Sequence, residues 1–303
     1  MSTNQLARAR ALKIPQREEV LRRDSSVEHF WEHNRSLLRD AWSQWETSEG
    51  HGFDVREASL IDDRLRTAVA EAWNDPATEL AVRDLLEEVA PDVFQFQFFN
   101  PERLSILREY LEEVWDAQIP VRPPYGIVLN RRGAMLDRRS AGYLGAPTFQ
   151  AVYQQIIDTY MRPIARLMYP DVMGYDTQTF GFSIAYRPDT DTSIQPHSDP
   201  SSSTLNINMN LPEEEFGGSA VDFFNLARTQ LNSVTFTPGS AILHRGPAPH
   251  EAHPITSGSR TNLVLWLYGD DGQIPPPHFD GTAKTAAERW TTPTAKPDSF
   301  APF

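Results

Sequence analysis

No cysteine occurs in the 303 residues, which rules out disulfides and thiolate metal centres and leaves histidine, aspartate and glutamate as the side chains able to hold a metal ion. Long apolar runs are missing too. The longest lies near Leu263–Tyr268, far short of the roughly 20 residues that a membrane-spanning helix needs. The N-terminal stretch MSTNQLARARALKIPQREEVLRR has arginines but not the apolar segment of a secretory signal. A soluble, cytoplasmic protein without a membrane partner is the expectation. Positive charge is scarce: 28 Lys and Arg against 41 Asp and Glu give a formal net charge of −13. Such a chain offers no general cationic face for displacing the counterions of a polynucleotide, so no nucleic-acid partner is expected. There is no internal repeat and no low-complexity block.

What is present reads as globular: 40% hydrophobic residues, with 16 Phe, 9 Tyr and 7 Trp, are enough to fill a sizeable core. The first ninety or so residues show helical spacing. Ser25-x-x-Glu28 makes a capping box for a helix carrying Val27, Phe30, Trp31, Leu37, Leu38, Ala41, Trp42 and Trp45. Ile61, Leu65, Val69, Ala72 and Trp73 repeat the pattern, and Leu80 to Val89 make a third helix between Pro76 and Pro91. At Val93 the period drops to two: Phe94, Phe96 and Phe98 alternate with Gln95 and Gln97, marking the start of a β-core. Asn100-Pro101 then opens a helix through Leu104, Leu107, Leu111 and Trp115. Residues 119–147 read as irregular with one strand at Tyr125–Asn130, and a further helix runs from about Pro147 to Met168, kinked or split at Pro163.

From Phe180 onward strands dominate: Phe180–Tyr186, Thr204–Asn210, Ala220–Phe224, Ser233–Phe236, Ser240–His244 and Thr261–Tyr268, parted by Gly217-Gly218, Pro238-Gly239 and Ser257-Gly258 turns. Short strands at this spacing form a sandwich or barrel. The expected fold class is α+β: a helical extension over 1–91, a β-domain over 92–270, and an extended tail over 271–303 lying on the core.

The chemistry concentrates in two segments, His197-Ser198-Asp199 and, about fifty residues on, Pro249-His250-Glu251-Ala252-His253-Pro254 continuing to Arg260. Two imidazoles and one carboxylate on one face of a metal ion leave positions open for other ligands, the donor set of non-haem iron(II) oxygenases. In an extended segment His197 and Asp199 point to the same side, because side chains alternate with period two. The remaining ligand must come from a distant strand, where His250 stands. Arg260, ten residues beyond His250 and past the Gly258 turn, offers a planar fork for a carboxylate that lysine would match less well.

Tyr186 to Trp266 resembles the 2-oxoglutarate and iron(II)-dependent dioxygenases, in their prolyl and lysyl hydroxylase-like branch. The matching pieces are Tyr186, His197-x-Asp199, Ser203-Thr204-Leu205-Asn206-Ile207-Asn208, Phe216-Gly217-Gly218, Pro238-Gly239, and His250 through Arg260 to Trp266. A weaker likeness to oxygenase-domain proteins of this class extends to Arg122-Pro123-Pro124-Tyr125-Gly126 and the helix near 147–170. The resemblance implies a double-stranded β-helix, or jelly-roll, core with iron at its open end. It implies His197, Asp199 and His250 as iron ligands, Arg260 as the partner of the C5 carboxylate of 2-oxoglutarate, and Tyr186 in the co-substrate pocket. Asn206 and Asn208 would face inward, one of them reaching the co-substrate, while Val264 and Trp266 would line the same cavity. His253 competes for the last ligand position but leaves seven residues to Arg260, off the family spacing. His244 reads as structural or substrate-facing.

The implied cofactors are iron(II), 2-oxoglutarate and O₂. The implied reaction is oxidative decarboxylation to succinate and CO₂ coupled to hydroxylation of an unactivated C–H bond. Asp199 at the carboxylate position argues against a halogenase. The expected substrate is a small molecule such as an amino acid or specialised metabolite. A lysyl or prolyl residue in a peptide is the alternative, as are desaturation or cyclisation by the same chemistry. Two readings from other classes, a non-catalytic metal- or 2-oxoglutarate-binding protein and a metal hydrolase, fit the intact His, Asp, His and Arg set less well. The N-terminal helices could cap the mouth of the site or form a dimer interface.

Overall fold

The computed structural model describes residues 4–49, 51–123, 134–136, 145–190, 192–225, 229–276 and 284–294. The strand expected at Tyr125–Asn130 lies outside the described residues. The strands are β1 (Glu87–Ala90), β2 (Val93–Gln97), β3 (Ala134–Met135), β4 (Gln178–Tyr186), β5 (Ile194–His197), β6 (Ser203–Asn208), β7 (Gly217–Gly218), β8 (Val221–Phe224), β9 (Gln230–Val234), β10 (Ser240–Arg245), β11 (His250–Ala252), β12 (Ile255–Ser257) and β13 (Arg260–Tyr268). They form a seven-stranded sheet in the order β1-β2-β10-β6-β13-β4-β3, a four-stranded sheet in the order β5-β11-β8-β9, and a small β12-β7 pair. Every pairing is antiparallel. From β4 onward the chain steps back and forth between the two main sheets, and that alternation is the double-stranded β-helix.

Period-two patterning assigns each strand its faces. In β13, Val264, Trp266 and Tyr268 pack with Phe180, Phe182, Ile184 and Tyr186 of β4 and with Ala252 and Ile255, inside the jelly roll. The alternate residues Leu263, Leu265 and Leu267 pack outward with Trp31, Leu38, Trp42, Leu107 and Phe149 of the helices. Helices therefore cover the outer face of the large sheet, which explains why β13 reads as a nearly unbroken apolar run. The helix Ser25–Glu49 buries the expected Val27, Trp31, Leu38, Ala41, Trp42 and Trp45. No helix among the described residues is long and apolar enough to cross a membrane.

Three local details depart from the sequence reading. The segment expected as a helix over Leu80–Val89 stops at Arg83 and continues as β1, which pairs with β2 around Asp92 at φ 59°. A short apolar run is ambiguous between the two periods, and here the free edge of β2 decides it. The helix expected from Asn100 begins at Leu104, while Asn100 Oδ1 accepts from the Glu102 amide at 2.9 Å to cap the preceding turn. The helix from Pro147 is interrupted before Pro163: a π-helical stretch, Gln155–Met161, links Pro147–Gln154 to Arg162–Met168. Pro163 has no N–H for the carbonyl of Thr159 four residues back. That carbonyl instead accepts from Trp73 Nε1 at 3.0 Å.

Candidate active site

β5 ends on His197 and β11 begins on His250, and the two are register partners across the small sheet, with ring centroids 4.3 Å apart. Asp199 follows after the chain leaves β5; its amide donates to the Gly246 carbonyl at 2.9 Å. A Cβ on Gly246 would lie 1.9 Å from the Ser201 carbonyl oxygen, so only glycine lets the two segments approach this closely. His197, Asp199 and His250 each offer a ligand atom within 4.8 Å of the others.

The hydrogen bonds behind these side chains aim them. His197 Nδ1 lies 2.8 Å from the Gln195 carbonyl and His250 Nδ1 3.0 Å from the Ala248 carbonyl. A carbonyl can only accept, so each Nδ1 carries the proton and each Nε2 presents a lone pair, the tautomer a metal requires. Thr204 Oγ1 donates to Asp199 Oδ2 at 2.6 Å, while Asp199 Oδ1 lies 3.6 Å from His197 Nε2. The donor set thus fits a divalent transition ion in kind, in tautomer and in proximity.

His244 completes this end of the cavity. Its Nδ1 donates to the Arg245 carbonyl at 2.8 Å, and its Nε2 stands 3.8 Å from Asp199 Oδ2, with the ring 4.7 Å from that of His250. Sequence reasoning left it without a defined place, although the period of β10 puts it on the inner face with Ile242. Burial, with His244 as the next cause, pulls His250 down to about 4, and burial lowers His244 as well. Unfolded histidines titrate near 6.5 and therefore bind protons between pH 4 and 6.5 that the folded chain refuses, so stability rises with pH across that window. The metal-free chain is expected to lose on the order of 2 kcal/mol between pH 7 and pH 5 through His250. Urea midpoints at the two pH values check this: the drop should shrink in His250→Gln, and equal drops in both proteins would contradict it.

Arg260 opens β13 opposite Tyr186 of β4, and its side chain is fully buried. Nη1 donates to the Ser219 carbonyl at 2.7 Å, and the guanidinium carbon lies 4.4 Å from the centre of the Tyr186 ring and 5.0 Å from that of Phe236. Burial lowers its pKa from the usual guanidinium value, with Tyr186 opposing the shift. Its Nε is buried and has no hydrogen-bond partner among the described residues, nor does any of their carboxylates pair with the group. A buried cation without an internal counter-ion is costly, and an incoming anion relieves that cost.

Arg260, Tyr186, Asn206 and Val264 line one cavity with His197, Asp199 and His250; Ile184, Ile194, Thr204 and His244 line it too. Asn206 Oδ1 accepts from Asn262 Nδ2 at 2.6 Å. Two residues expected in this lining lie outside it. Asn208 donates through Nδ2 to Asn210 Oδ1 at 3.1 Å and Asn262 Oδ1 at 3.3 Å, tying together the chain at the end of β6. Trp266 packs between Phe180 and Phe182, with ring centroids at 5.6 and 5.5 Å. His253 faces away from the cavity, its Nε2 2.8 Å from Asp222 Oδ2.

No protein-family model matches the chain. Similarity to individual proteins is substantial. The chain is 28% identical over 199 residues to the 2-oxoglutarate and iron-dependent oxygenase domain-containing protein ICU11 of Arabidopsis thaliana, a match spanning 61% of this chain and 47% of that protein. It is 28% identical over 229 residues to the 2-oxoglutarate and iron-dependent oxygenase domain-containing protein 2 of Xenopus tropicalis, spanning 72% of this chain and 61% of the relative. With the multifunctional procollagen lysine hydroxylase and glycosyltransferase LH3 of Rattus norvegicus it shares 28% over 197 residues, 60% of this chain and 24% of that one. The chain thus matches between about a quarter and three fifths of the length of these relatives.

Proposed function

We propose that the chain is a 2-oxoglutarate- and iron(II)-dependent oxygenase, a reading its similarity to proteins named for that domain supports, that His197, Asp199 and His250 hold iron(II), that Arg260 binds the distal carboxylate of 2-oxoglutarate, and that the protein hydroxylates an unactivated C–H bond of a small molecule such as an amino acid or specialised metabolite. The observation that carries this reading is that an aimed His, Asp, His donor set and a buried guanidinium that pairs with no carboxylate among the described residues share one cavity. When bound, iron(II) supplies the oxygen chemistry that the side chains cannot.

The residues of the chain do the rest. The Gln195 and Ala248 carbonyls keep the two imidazoles turned toward the ion, and Thr204 fixes one carboxylate oxygen of Asp199 so that the other faces inward. Arg260 and the Tyr186 ring set the depth at which a dicarboxylate stops. Ile184, Ile194, Val221 and Val264 make the walls between apolar, which excludes water and strengthens the charge pairing. We extend the same reading to the organisation of the chain, with an N-terminal part over 1–91 that is mainly helical but lends β1 to the large sheet, the jelly roll over 92–270 and a tail over 271–303.

A second reading, oxidation of a lysyl or prolyl residue within a peptide, draws support from the name of the rat relative, a procollagen lysine hydroxylase. The test is succinate formation from 2-oxoglutarate with iron(II) and O₂, in the presence of free amino acids and metabolites or of lysine- and proline-containing peptides, with products weighed for the gain of one oxygen. Turnover stimulated by the small molecules is the expected result; stimulation by peptides alone would transfer the assignment to the second reading. Failure to bind or consume 2-oxoglutarate in any mixture would sink both.

A further inference from the structure

The strand that delivers His250 to the cavity carries other ligand atoms on its opposite face. His250 and Ala252 line the cavity, whereas Glu251 points away from it, as the alternation of a strand demands. His253, just beyond β11, joins Glu251 on that outer side. Its Nε2 lies 2.8 Å from Asp222 Oδ2 and 3.7 Å from Glu251 Oε1. Asp222 and Glu251 are register partners on β8 and β11, so two carboxylates stand directly opposite one another, a pairing that is repulsive unless a cation lies between them. Asp222, Glu251 and His253 each place a ligand atom within 4.8 Å of the others, the same closeness found among His197, Asp199 and His250.

Asp222 shows that the ion pair with His253 leaves the cluster incomplete. Its side chain is only 6% exposed, and while Oδ2 meets His253, Oδ1 is buried with no hydrogen-bond partner among the described residues. A buried carboxylate oxygen without a donor costs free energy, and histidine, meeting only the other oxygen, does not remove that cost. An ion bound by the carboxylate and the imidazole together would neutralise both acids.

We propose that Asp222, Glu251 and His253 bind a second divalent transition-metal ion, of the zinc class, on the outer face of the small sheet. One imidazole and two carboxylates, with water in the remaining position, are a zinc donor set, whereas calcium and magnesium favour oxygen ligands alone. His253 is 45% exposed and Glu251 24% by side chain, so the ion reaches the cluster from solvent while Asp222 forms its floor. On binding, His253 gives up any Nε2 proton to solvent and turns that lone pair to the metal. The ion then joins β8 to β11 behind His250, and so braces the strand that presents it.

The test uses the full chain carrying His197→Ala and Asp199→Ala, which disables the cavity centre and leaves the outer cluster intact. Zinc(II) titrated calorimetrically should bind at one equivalent per chain, and elemental analysis after dialysis should return the same stoichiometry. Adding His253→Gln, at a half-exposed position where the glutamine amide can still donate to Asp222, should abolish that equivalent, and Glu251→Gln should weaken it at least tenfold. Absence of zinc uptake by the cavity-disabled chain, or uptake of undiminished strength after both outer substitutions, would overturn the proposal. Because His197 and Asp199 are replaced in every arm, neither outcome bears on the iron assignment, and Asp222, whose burial makes it a folding risk, is left untouched.

Discussion

His197→Ala is expected to abolish iron-dependent consumption of 2-oxoglutarate while leaving the fold intact. The expectation of an intact fold rests on where the side chain sits: it is 34% exposed, and its hydrogen bond to the Gln195 carbonyl is local. Asp199→Ala should do the same, although the aspartate is buried, because Thr204 Oγ1 keeps a second partner in Ser201 Oγ at 2.9 Å once the carboxylate is gone. Losing an outer hydrogen-bond partner of a metal ligand costs roughly 10–100-fold in affinity or activity, and Thr204→Val sets that scale here. Losing a ligand itself should exceed it, leaving turnover at background. Succinate release and iron(II) binding, measured on the same preparations alongside circular dichroism, decide the matter. Turnover in His197→Ala within tenfold of the unmodified chain would mean that the metal is held elsewhere.

Much of this site was legible because its pieces are local. His197 and Asp199 lie two residues apart, and His250 and Arg260 ten apart; strand alternation alone says which neighbours share a face. The faces of β4 and β13 could be read in the same way. What could not be read is anything fixed by contact between remote segments. Facing of His197 with His250 depends on the register of β5 against β11, which no local pattern encodes.

Asn206 and Asn208 illustrate a subtler limit. Alternation puts both on one face, but one step of two residues moves a side chain by about 6–7 Å along the strand. That step carries Asn208 out of the cavity and into the Asn210–Asn262 network. Pro163 announced an interruption of its helix, yet the π-helical form it takes involves Trp73, 86 residues away, as donor to the freed carbonyl. The residues Leu85 to Val89 carry no period strong enough to choose between helix and strand, and β2 makes the choice for them.

Arg260→Ala should cut 2-oxoglutarate affinity by two to three orders of magnitude without loss of the metal, since breaking a buried charge pair costs roughly 3–5 kcal/mol and each 1.4 kcal/mol is tenfold. The guanidinium is anchored by its hydrogen bond to the Ser219 carbonyl, by Tyr186 and by the face of Phe236, with no direct hydrogen bond to His197, Asp199 or His250. Its removal therefore leaves His197, Asp199 and His250 aimed. It also takes away a buried charge that has no counter-ion among the described residues, so the chain should not unfold more readily. Arg260→Lys should restore only part of the affinity: the charge returns, but the planar fork and the stacking on Tyr186 do not. The decisive control is a 2-oxo acid lacking the distal carboxylate, such as 2-oxobutanoate. If Arg260 acts on that carboxylate, the substitution weakens 2-oxoglutarate alone and leaves the shorter acid where it was, because the difference between the two ligands isolates the pairwise contribution. Equal losses for both would show that Arg260 shapes the cavity rather than recognising its ligand, and unchanged affinity for 2-oxoglutarate would remove the arginine from the site.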